Sequence, residues 1–95
     1  MFDAKLLDDG RVELFGRFDA AQVEKARVVF DLVKGPATVD FRGLEYISSA
    51  GLGILLMTQR RLKEAGGKGL KLMNMNKHIG DVFRYAGFDQ VFEIV

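Results

Sequence analysis

The sequence contains no cysteine and a single histidine, His78, among its 95 residues. Without cysteine the chain can form no disulfide bond, no thiolate metal site and no thiol nucleophile. One histidine is also too few for the metal centres that are built from several imidazoles. We therefore expect neither a metal site nor a bound cofactor.

Long apolar runs and an excess of one charge are missing as well. The longest unbroken apolar run, residues 54–57, is far shorter than the ~20 residues that a membrane-spanning helix needs. An acid, Asp3, stands early in the N-terminal segment with no long apolar run behind it, which argues against a secretory signal. The 14 basic and 13 acidic residues give a net charge of +1 and form no basic arm. We expect a soluble, cytoplasmic protein that neither inserts into a membrane nor binds nucleic acid.

The apolar residues present are sufficient for one core. Hydrophobic residues make up 48% of the 95 positions, and a chain of this length buries roughly 60–65% of its unfolded surface on folding. No repeat, low-complexity segment or linker interrupts the sequence. We therefore expect residues 1–95 to form a single domain that is a monomer or a weak dimer.

Apolar periodicity and turn residues divide this domain into strands and helices that alternate after an initial hairpin. Asp9 and Gly10 stand between two apolar runs, which is a strong hairpin signal. The predicted strands are residues 2–7, 11–15, 37–41, 69–75 and 91–95, and the predicted helices are residues 20–34, 50–65 and 77–86. Strands joined through helices are normally parallel with right-handed crossovers. The order β-β-α-β-α-β-α-β therefore predicts an α/β fold, a single small domain with a mixed, mostly parallel β-sheet packed with helices.

The predicted order also indicates which loops meet. If the strands that end near Phe15 and Phe41 are parallel, the segments that follow them lie at the same end of the sheet. Asp19 and Ser49 belong to these two segments, so we expect them to be neighbours in space. Open α/β sheets place their sites at this carboxyl end of the strands.

Two hydroxyls, Ser48 and Ser49, stand at the start of the second predicted helix and allow three roles: helix cap, phosphoacceptor and nucleophile. A cap contributes about 1 kcal/mol but explains only one of the two serines. Positions 51 and 52 hold no Glu or Gln to complete a capping box, and Gly51 and Gly53 each cost about 1 kcal/mol relative to alanine inside a helix. A helix start with free amides and no acid can accept a phosphate. From these residues alone capping is the commoner role, and the phosphoacceptor remains open.

A catalytic role for either serine lacks the other groups that the chemistry needs. A serine hydrolase requires a base, and the only histidine, His78, belongs to the third predicted helix, where we expect an exposed residue. The sequence has no G-x-S-x-G elbow, and the glycine-rich residues 66–69 lack the spacing of a phosphate-binding P-loop. We therefore expect that the protein is not an enzyme.

Residues 40–53 resemble the motif of the STAS domain of bacterial anti-sigma factor antagonists. In that motif a strand that carries an aspartate leads to a serine, a small residue and Gly-Leu-Gly, as Ser-Ala-Gly-Leu-Gly does here. Residues 16–19 resemble the family's element before the first helix, and residues 79–94 resemble its final stretch. The resemblance covers nearly the whole chain, although typical members continue into a final helix beyond the position of Val95.

This resemblance implies a role in partner switching. In the family, an anti-sigma factor that is also an ATP-dependent serine kinase phosphorylates the serine before the small residue and Gly-Leu step. The unphosphorylated antagonist binds the anti-sigma factor and releases the sigma factor, and a phosphatase restores this form after phosphorylation. Carried onto this sequence, the resemblance predicts an anti-sigma factor antagonist whose phosphoacceptor is Ser49.

The resemblance also assigns neighbours to the acceptor. Asp19 and Asp40 match acidic positions close to it, Ser48 stands where the best-known antagonists carry an aspartate, and Ala50 and Gly51 follow it directly. Both acids have a structural alternative, since Asp19 is a good helix cap and Asp40 fits the orientation of the loop after its strand. We expect Ser48 to be the cap of the second helix.

Two apolar residues of the second helix complete the predicted site. Ile54 and Met57 lie one and two turns beyond its start, on a stripe that either packs under the sheet or forms an apolar patch beside Ser49. A core position is commoner, but a switch needs a docking patch, so we predict that both residues bind the partner. The alternative function is that of a STAS scaffold or subunit in a phospholipid-transport or stress-signalling complex without a phosphoswitch.

Overall fold

The computed structural model describes all 95 residues and contains one five-stranded sheet. The strands are β1 (Phe2–Leu6), β2 (Val12–Phe18), β3 (Ala37–Ile47), β4 (Leu70–Met73) and β5 (Glu93–Ile94). The helices are α1 (Val23–Phe30), α2 (Ser49–Glu64) and α3 (Lys77–Tyr85), and short 3₁₀ turns occupy Ala20–Gln22 and Phe88–Gln90. This order confirms the predicted succession of strands and helices. None of the helices combines the length and the apolar character needed to cross a membrane.

The strands lie side by side in the order in which the chain makes them. β1 and β2 are antiparallel, and each later strand is parallel to the one before it. The hairpin between β1 and β2 closes through a 2.8 Å hydrogen bond from the Leu7 N–H to the Arg11 carbonyl, and Gly10 supplies the left-handed residue of the turn with φ +89°. The structure therefore confirms the mixed, mostly parallel sheet that the sequence predicts.

All three helices cover the same face of the sheet. Val12, Val39 and Leu72 stand in register on β2, β3 and β4, and each is completely buried. Right-handed crossovers that always step in one direction place every connecting helix on one side. The core of 21 buried hydrophobic residues lies between this face and the helices, and the opposite face is not covered by any helix.

Three predicted ends are wrong by three residues or more. β2 does not end at Phe15 but continues to Phe18. β3 does not end at Phe41 but continues to Ile47, and it stays paired with β2 across two register shifts. The first helix does not continue to Lys34 but ends at Phe30. There the Arg61 guanidinium of α2 donates to the carbonyls of Phe30 and Val33, each at 2.9 Å, and so satisfies groups that a further helical turn would have used.

Gln59 of α2 is buried although its polar amide would favour an exposed position. It is only 3% exposed. Its amide nitrogen donates to the Val91 carbonyl at 2.8 Å, and its amide oxygen accepts from the Leu70 N–H at 2.6 Å. Gln59 therefore joins α2 to β4 and to the segment before β5.

Candidate functional site

The candidate site lies at the carboxyl ends of β2 and β3. Phe18 and Ile47 are paired at this edge, and the Ser48 N–H donates to the Phe18 carbonyl at 2.9 Å. Asp19 directly follows Phe18, and Ser49 directly follows Ser48. The predicted proximity of the two segments is therefore confirmed.

Ser48 is the N-cap of α2, as the sequence predicts. Its backbone is extended, with φ −89° and ψ 170°, and its hydroxyl accepts from the Gly51 N–H at 3.2 Å. Its carbonyl accepts the first helical hydrogen bond, from the Leu52 N–H at 2.9 Å. Ser48 is half-buried, so its side chain belongs to the structure of the helix start.

Ser49 is the first residue of α2, and its side chain is exposed. Because the capping bond uses the hydroxyl of Ser48, that of Ser49 remains free. The first turn of α2 contains no acidic residue, and an anion at this end of a helix interacts favourably with the helix dipole. His78, the only histidine, is an exposed residue of α3, as expected. The arrangement presents an accessible hydroxyl that can receive a group from another protein.

The residues that follow Ser49 turn towards the interior. Gly51 is buried, and a β-carbon on it would lie 2.9 Å from Ile47 Cγ1 and 3.1 Å from Phe18 Cγ. Ala50 is half-buried. Glycine at position 51 therefore lets α2 start close against the ends of β2 and β3, which is a packing role and not extra space for a phosphate.

Asp19 caps the 3₁₀ turn that precedes α1, and a cap is one of the two roles predicted for it. Its carboxylate accepts from the Ala21 N–H at 3.1 Å at the start of the 3₁₀ turn Ala20–Gln22. Asp19 is half-buried and follows the last residue of β2. It adds a negative charge to the edge of the sheet that carries Ser49.

Asp40 does not belong to this site, which corrects its prediction as a neighbour of the phosphoacceptor. Asp40 pairs with Glu13, whereas the end of β3, Ile47, pairs with Phe18. Roughly five strand positions of ~3.3 Å therefore separate Asp40 from the edge, a distance of about 16 Å. The prediction was wrong because β3 continues beyond Phe41, so a strand occupies the place of the expected loop.

The surroundings of Asp40 show a structural role instead. It is 7% exposed, and its carboxylate accepts from the Asn74 side-chain amide at 3.0 Å and from the Arg42 N–H at 2.9 Å. Burial raises the pKa of Asp40, but these two hydrogen bonds and the charges of Arg42 and Arg11 outweigh it, so the pKa lies below its ordinary value. Asn74 has a left-handed backbone with φ +62°, so Asp40 also fixes the turn that follows β4.

The two predicted partner-binding residues of α2 have different environments. Ile54 is 5% exposed and belongs to the core, whereas Met57 is 58% exposed. The burial of Ile54 corrects the expectation that it offers an exposed contact, because Ile54 belongs to the core, beside Phe30 of α1. Met57 alone remains available for docking.

A stacked pair near the site, the exposed Arg17 and the half-buried Tyr46, was missed in the sequence. The Arg17 guanidinium lies 4.5 Å from the centre of the Tyr46 ring, and the two residues are in register one position before the ends of β2 and β3. This stacking places a positive charge beside the edge that carries Ser49. Only the pairing register of β2 and β3 reveals it, and the predicted end of β3 at Phe41 had placed Tyr46 in a loop.

Comparison with known proteins agrees with this architecture. The family model described as the Mlab, STAS domain matches residues 1–95. The chain belongs to the STAS domain family.

One curated relative and two solved structures extend this result. BtrV of Bordetella bronchiseptica, provisionally named an anti-sigma factor antagonist, is 38% identical over 77 residues, which are 79% of this chain and 58% of that protein. This chain thus spans little more than half the length of that relative. A structure from Thermotoga maritima, also provisionally named an anti-sigma factor antagonist, has a TM-score of 0.78 at 22% identity and covers 99% of this chain and 85% of its own. The structure of phosphorylated SpoIIAA of Bacillus has a TM-score of 0.70 at 22% identity, and the match covers 100% of this chain and 91% of SpoIIAA. At these identities the two structures establish the shared fold.

Proposed function

We propose that this protein is an anti-sigma factor antagonist whose binding is switched by phosphorylation of Ser49. Its partners are an anti-sigma factor that is also an ATP-dependent serine kinase, and a phosphatase that removes the phosphate. The observation that carries the proposal is the exposed hydroxyl of Ser49 at the first position of α2, left free because Ser48 makes the cap. The relative BtrV supports it through its name. In this role the protein is a cytoplasmic regulator and not an enzyme.

The surroundings of Ser49 favour a switch that acts on binding and not on folding. A phosphate adds roughly −1.5 to −2 charges at neutral pH, and on an exposed residue it displaces no buried contact. Residues 49–59 of α2 carry no charged side chain, and Asp19 lies at the same edge of the sheet. The phosphate therefore adds negative charge to the uncharged start of α2, next to the acidic Asp19. A partner segment that fits the unphosphorylated surface is then repelled by the phosphate, or it buries the phosphate charge away from water.

A capture experiment tests the proposal. The immobilised chain is incubated with extract of its native host, and wild type is compared with Ser49→Ala and Ser49→Asp. Wild type and Ser49→Ala are expected to retain an anti-sigma factor with serine kinase activity, and Ser49→Asp is expected to lose it. With ATP, the purified kinase is expected to place phosphate on Ser49 of wild type, as read by mass spectrometry of the peptide.

Ser48→Ala is the matched control, because it removes the neighbouring hydroxyl, which the helix cap uses. It is expected to remain a substrate of the kinase. Equal capture by wild type and Ser49→Asp, or capture of no serine kinase by wild type, contradicts the proposed function.

A second candidate is the role of a STAS scaffold or phospholipid-transport subunit in which the serine is structural. The observation that favours it is the matching family model, which bears the name Mlab and not that of an antagonist. Co-purification with membrane transport subunits, without phosphate on Ser49, supports this candidate over the first.

A further inference from the structure

A cavity of about 530 Å³ lies at the end of the sheet opposite Ser49. It is lined by the turn between β1 and β2, the starts of β3 and β4, and Glu93 of β5. Only 2 of its 11 lining residues are hydrophobic, so it suits a polar ligand. Arg11 in this cavity is roughly 23 Å along the strand from Phe18 at the Ser49 edge, at ~3.3 Å per residue. We call this site the amino-end cavity, and the proposed switch does not involve it.

Strand pairing aligns three polar residues across the amino-end cavity. Arg11 and Thr38 are neighbours because the residues that follow them are paired, and Thr38 in turn pairs with Lys71. The next residue of each strand is completely buried under the helices. Since side chains alternate along a strand, these three face the uncovered side of the sheet. Adjacent strands are ~4.8 Å apart, so about 10 Å separates Arg11 from Lys71, which two long side chains can close above Thr38.

The charged donors of this row make no hydrogen bond within the chain. Arg11 Nε is buried without a hydrogen-bond partner. Arg11 Nη2 lies 3.7 Å from Glu13 Oε2, and Lys71 Nζ lies 3.8 Å from Glu93 Oε2, distances longer than a hydrogen bond. Lys68, in the loop before β4, is exposed and lines the same cavity. A buried donor without a partner is costly, and an anion bound in the cavity would supply the missing acceptor.

Two acids also line the cavity, and neither closes it to an anion. The Asp9 carboxylate accepts from the Arg11 N–H at 3.0 Å and so belongs to the turn. The Glu93 side chain is 63% exposed and can turn into solvent. The lining residues Arg11, Lys68 and Lys71 outnumber these two acids, so the cavity keeps one positive charge in excess.

We propose that the amino-end cavity binds the phosphate group of a small phosphate monoester. Arg11 and Lys71 hold the phosphate from two sides, the Thr38 hydroxyl donates from between them, and Lys68 approaches from the loop. A guanidinium matches phosphate oxygens through two parallel hydrogen bonds, and an ammonium adds a point charge. The cavity also has room for the organic part of the ester, since small-molecule sites measure roughly 300–1,000 Å³. This inference does not rest on the proposed function.

Nuclear magnetic resonance titration of the isotope-labelled full chain tests the proposal, with glycerol 3-phosphate as the probe at constant ionic strength. Saturable shifts are expected at the amides of residues 10–12, 38 and 68–71, with a Kd on the order of 1 mM. Lys71→Gln and Arg11→Gln are each expected to raise the Kd roughly tenfold or more, because each removes a charge-assisted hydrogen bond. Thr38→Val, which removes only the hydroxyl, is expected to raise it roughly threefold.

Lys5→Gln is the matched control. Lys5 is an exposed lysine on the same uncovered face, but it lies outside the cavity, with its Nζ 5.6 Å from the centre of the Phe15 ring. Its replacement removes the same charge and is expected to leave the Kd unchanged. The melting temperature of each variant is measured as well, because the charge of Arg11 also acts on Asp40. Lys71→Gln decides the result where Arg11→Gln fails to fold.

Absence of saturable shifts in wild type overturns the proposal, and so does an equal Kd in wild type and Lys71→Gln. Co-sedimentation with vesicles of phosphatidylcholine, with and without phosphatidic acid, separates two sources of the phosphate group. Binding that requires phosphatidic acid and is lost in Lys71→Gln supports the site and identifies a lipid headgroup as its ligand. Binding of glycerol 3-phosphate without binding to either vesicle supports the site and identifies a soluble ester.

Discussion

The interior beneath α2 and the exposed side of the same helix use their residues differently. In the interior even a polar residue is occupied: Gln59 is 3% exposed and makes two hydrogen bonds to backbone. On the exposed side, Ser49 has a free hydroxyl and Gly53 has open space around it. Contacts within the chain therefore account for the interior, whereas they leave the Ser49 hydroxyl and Gly53 without a partner inside the fold.

The largest effect on stability is expected from Gln59, because its loss exposes unsatisfied groups in the interior. Gln59→Leu keeps the approximate volume but leaves the Leu70 N–H and the Val91 carbonyl without their partner. Each buried unsatisfied group costs about 1–3 kcal/mol, so the free energy of unfolding is expected to fall by roughly 2–4 kcal/mol. Urea unfolding followed by circular dichroism measures it. Arg60→Leu, at the adjacent exposed position, is expected to change stability by less than about 0.5 kcal/mol. Similar losses in both variants would contradict the distinction between the two sides of α2.

The next largest effect on stability is expected at the two serines, where a half-buried cap and an exposed hydroxyl stand side by side. Ser48→Ala removes the acceptor for the Gly51 N–H and is expected to lower the free energy of unfolding by about 1 kcal/mol. Ser49→Ala alters an exposed residue outside the cap and is expected to stay within about 0.5 kcal/mol of wild type. The same unfolding measurement on both variants checks this. A larger loss in Ser49→Ala than in Ser48→Ala would reverse the assignment of cap and acceptor.

Local patterns predicted the parts of this fold that depend on neighbouring residues. Asp9 and Gly10 indicated the hairpin, and the Ser48-Ser49 pair at the start of the second helix indicated a serine cap, which the structure places at Ser48. Asn76 precedes the third helix and is of a residue type that favours caps, and its side chain accepts from the Ile79 N–H at 2.8 Å. Each of these features needs only residues within one turn of chain.

The predictions that failed depend on residues distant in the sequence. The end of β3 was missed because register shifts against β2 break the alternation of its side chains, with Arg42 and Glu45 exposed. The partners that bury Gln59 lie 11 and 32 residues away, so its polar character indicated an exposed position. Without the true extent of β3, Asp40 could not be separated from the site around Ser49.

The smallest effect is expected at Asp40, where it appears as a dependence on pH. The pKa of Asp40 is lowered in the folded protein, so its carboxylate contributes stability above the ordinary aspartate pKa of about 3.9 and loses that contribution as the pH falls through the lower folded value. Asp40→Asn keeps an oxygen for the Arg42 and Asn74 donors but makes both hydrogen bonds neutral. It is expected to be less stable than wild type by on the order of 0.5–1 kcal/mol at pH 7, and this difference is expected to shrink below about pH 4. Urea unfolding at pH 7, 5 and 3 measures the difference in stability between wild type and Asp40→Asn. The same measurement on Asp19→Asn compares Asp40 with the acid beside Ser49. A constant difference across this pH range would show that the charge of Asp40 does not stabilise the fold, whereas weaker kinase binding by Asp40→Asn at pH 7 would return Asp40 to the site.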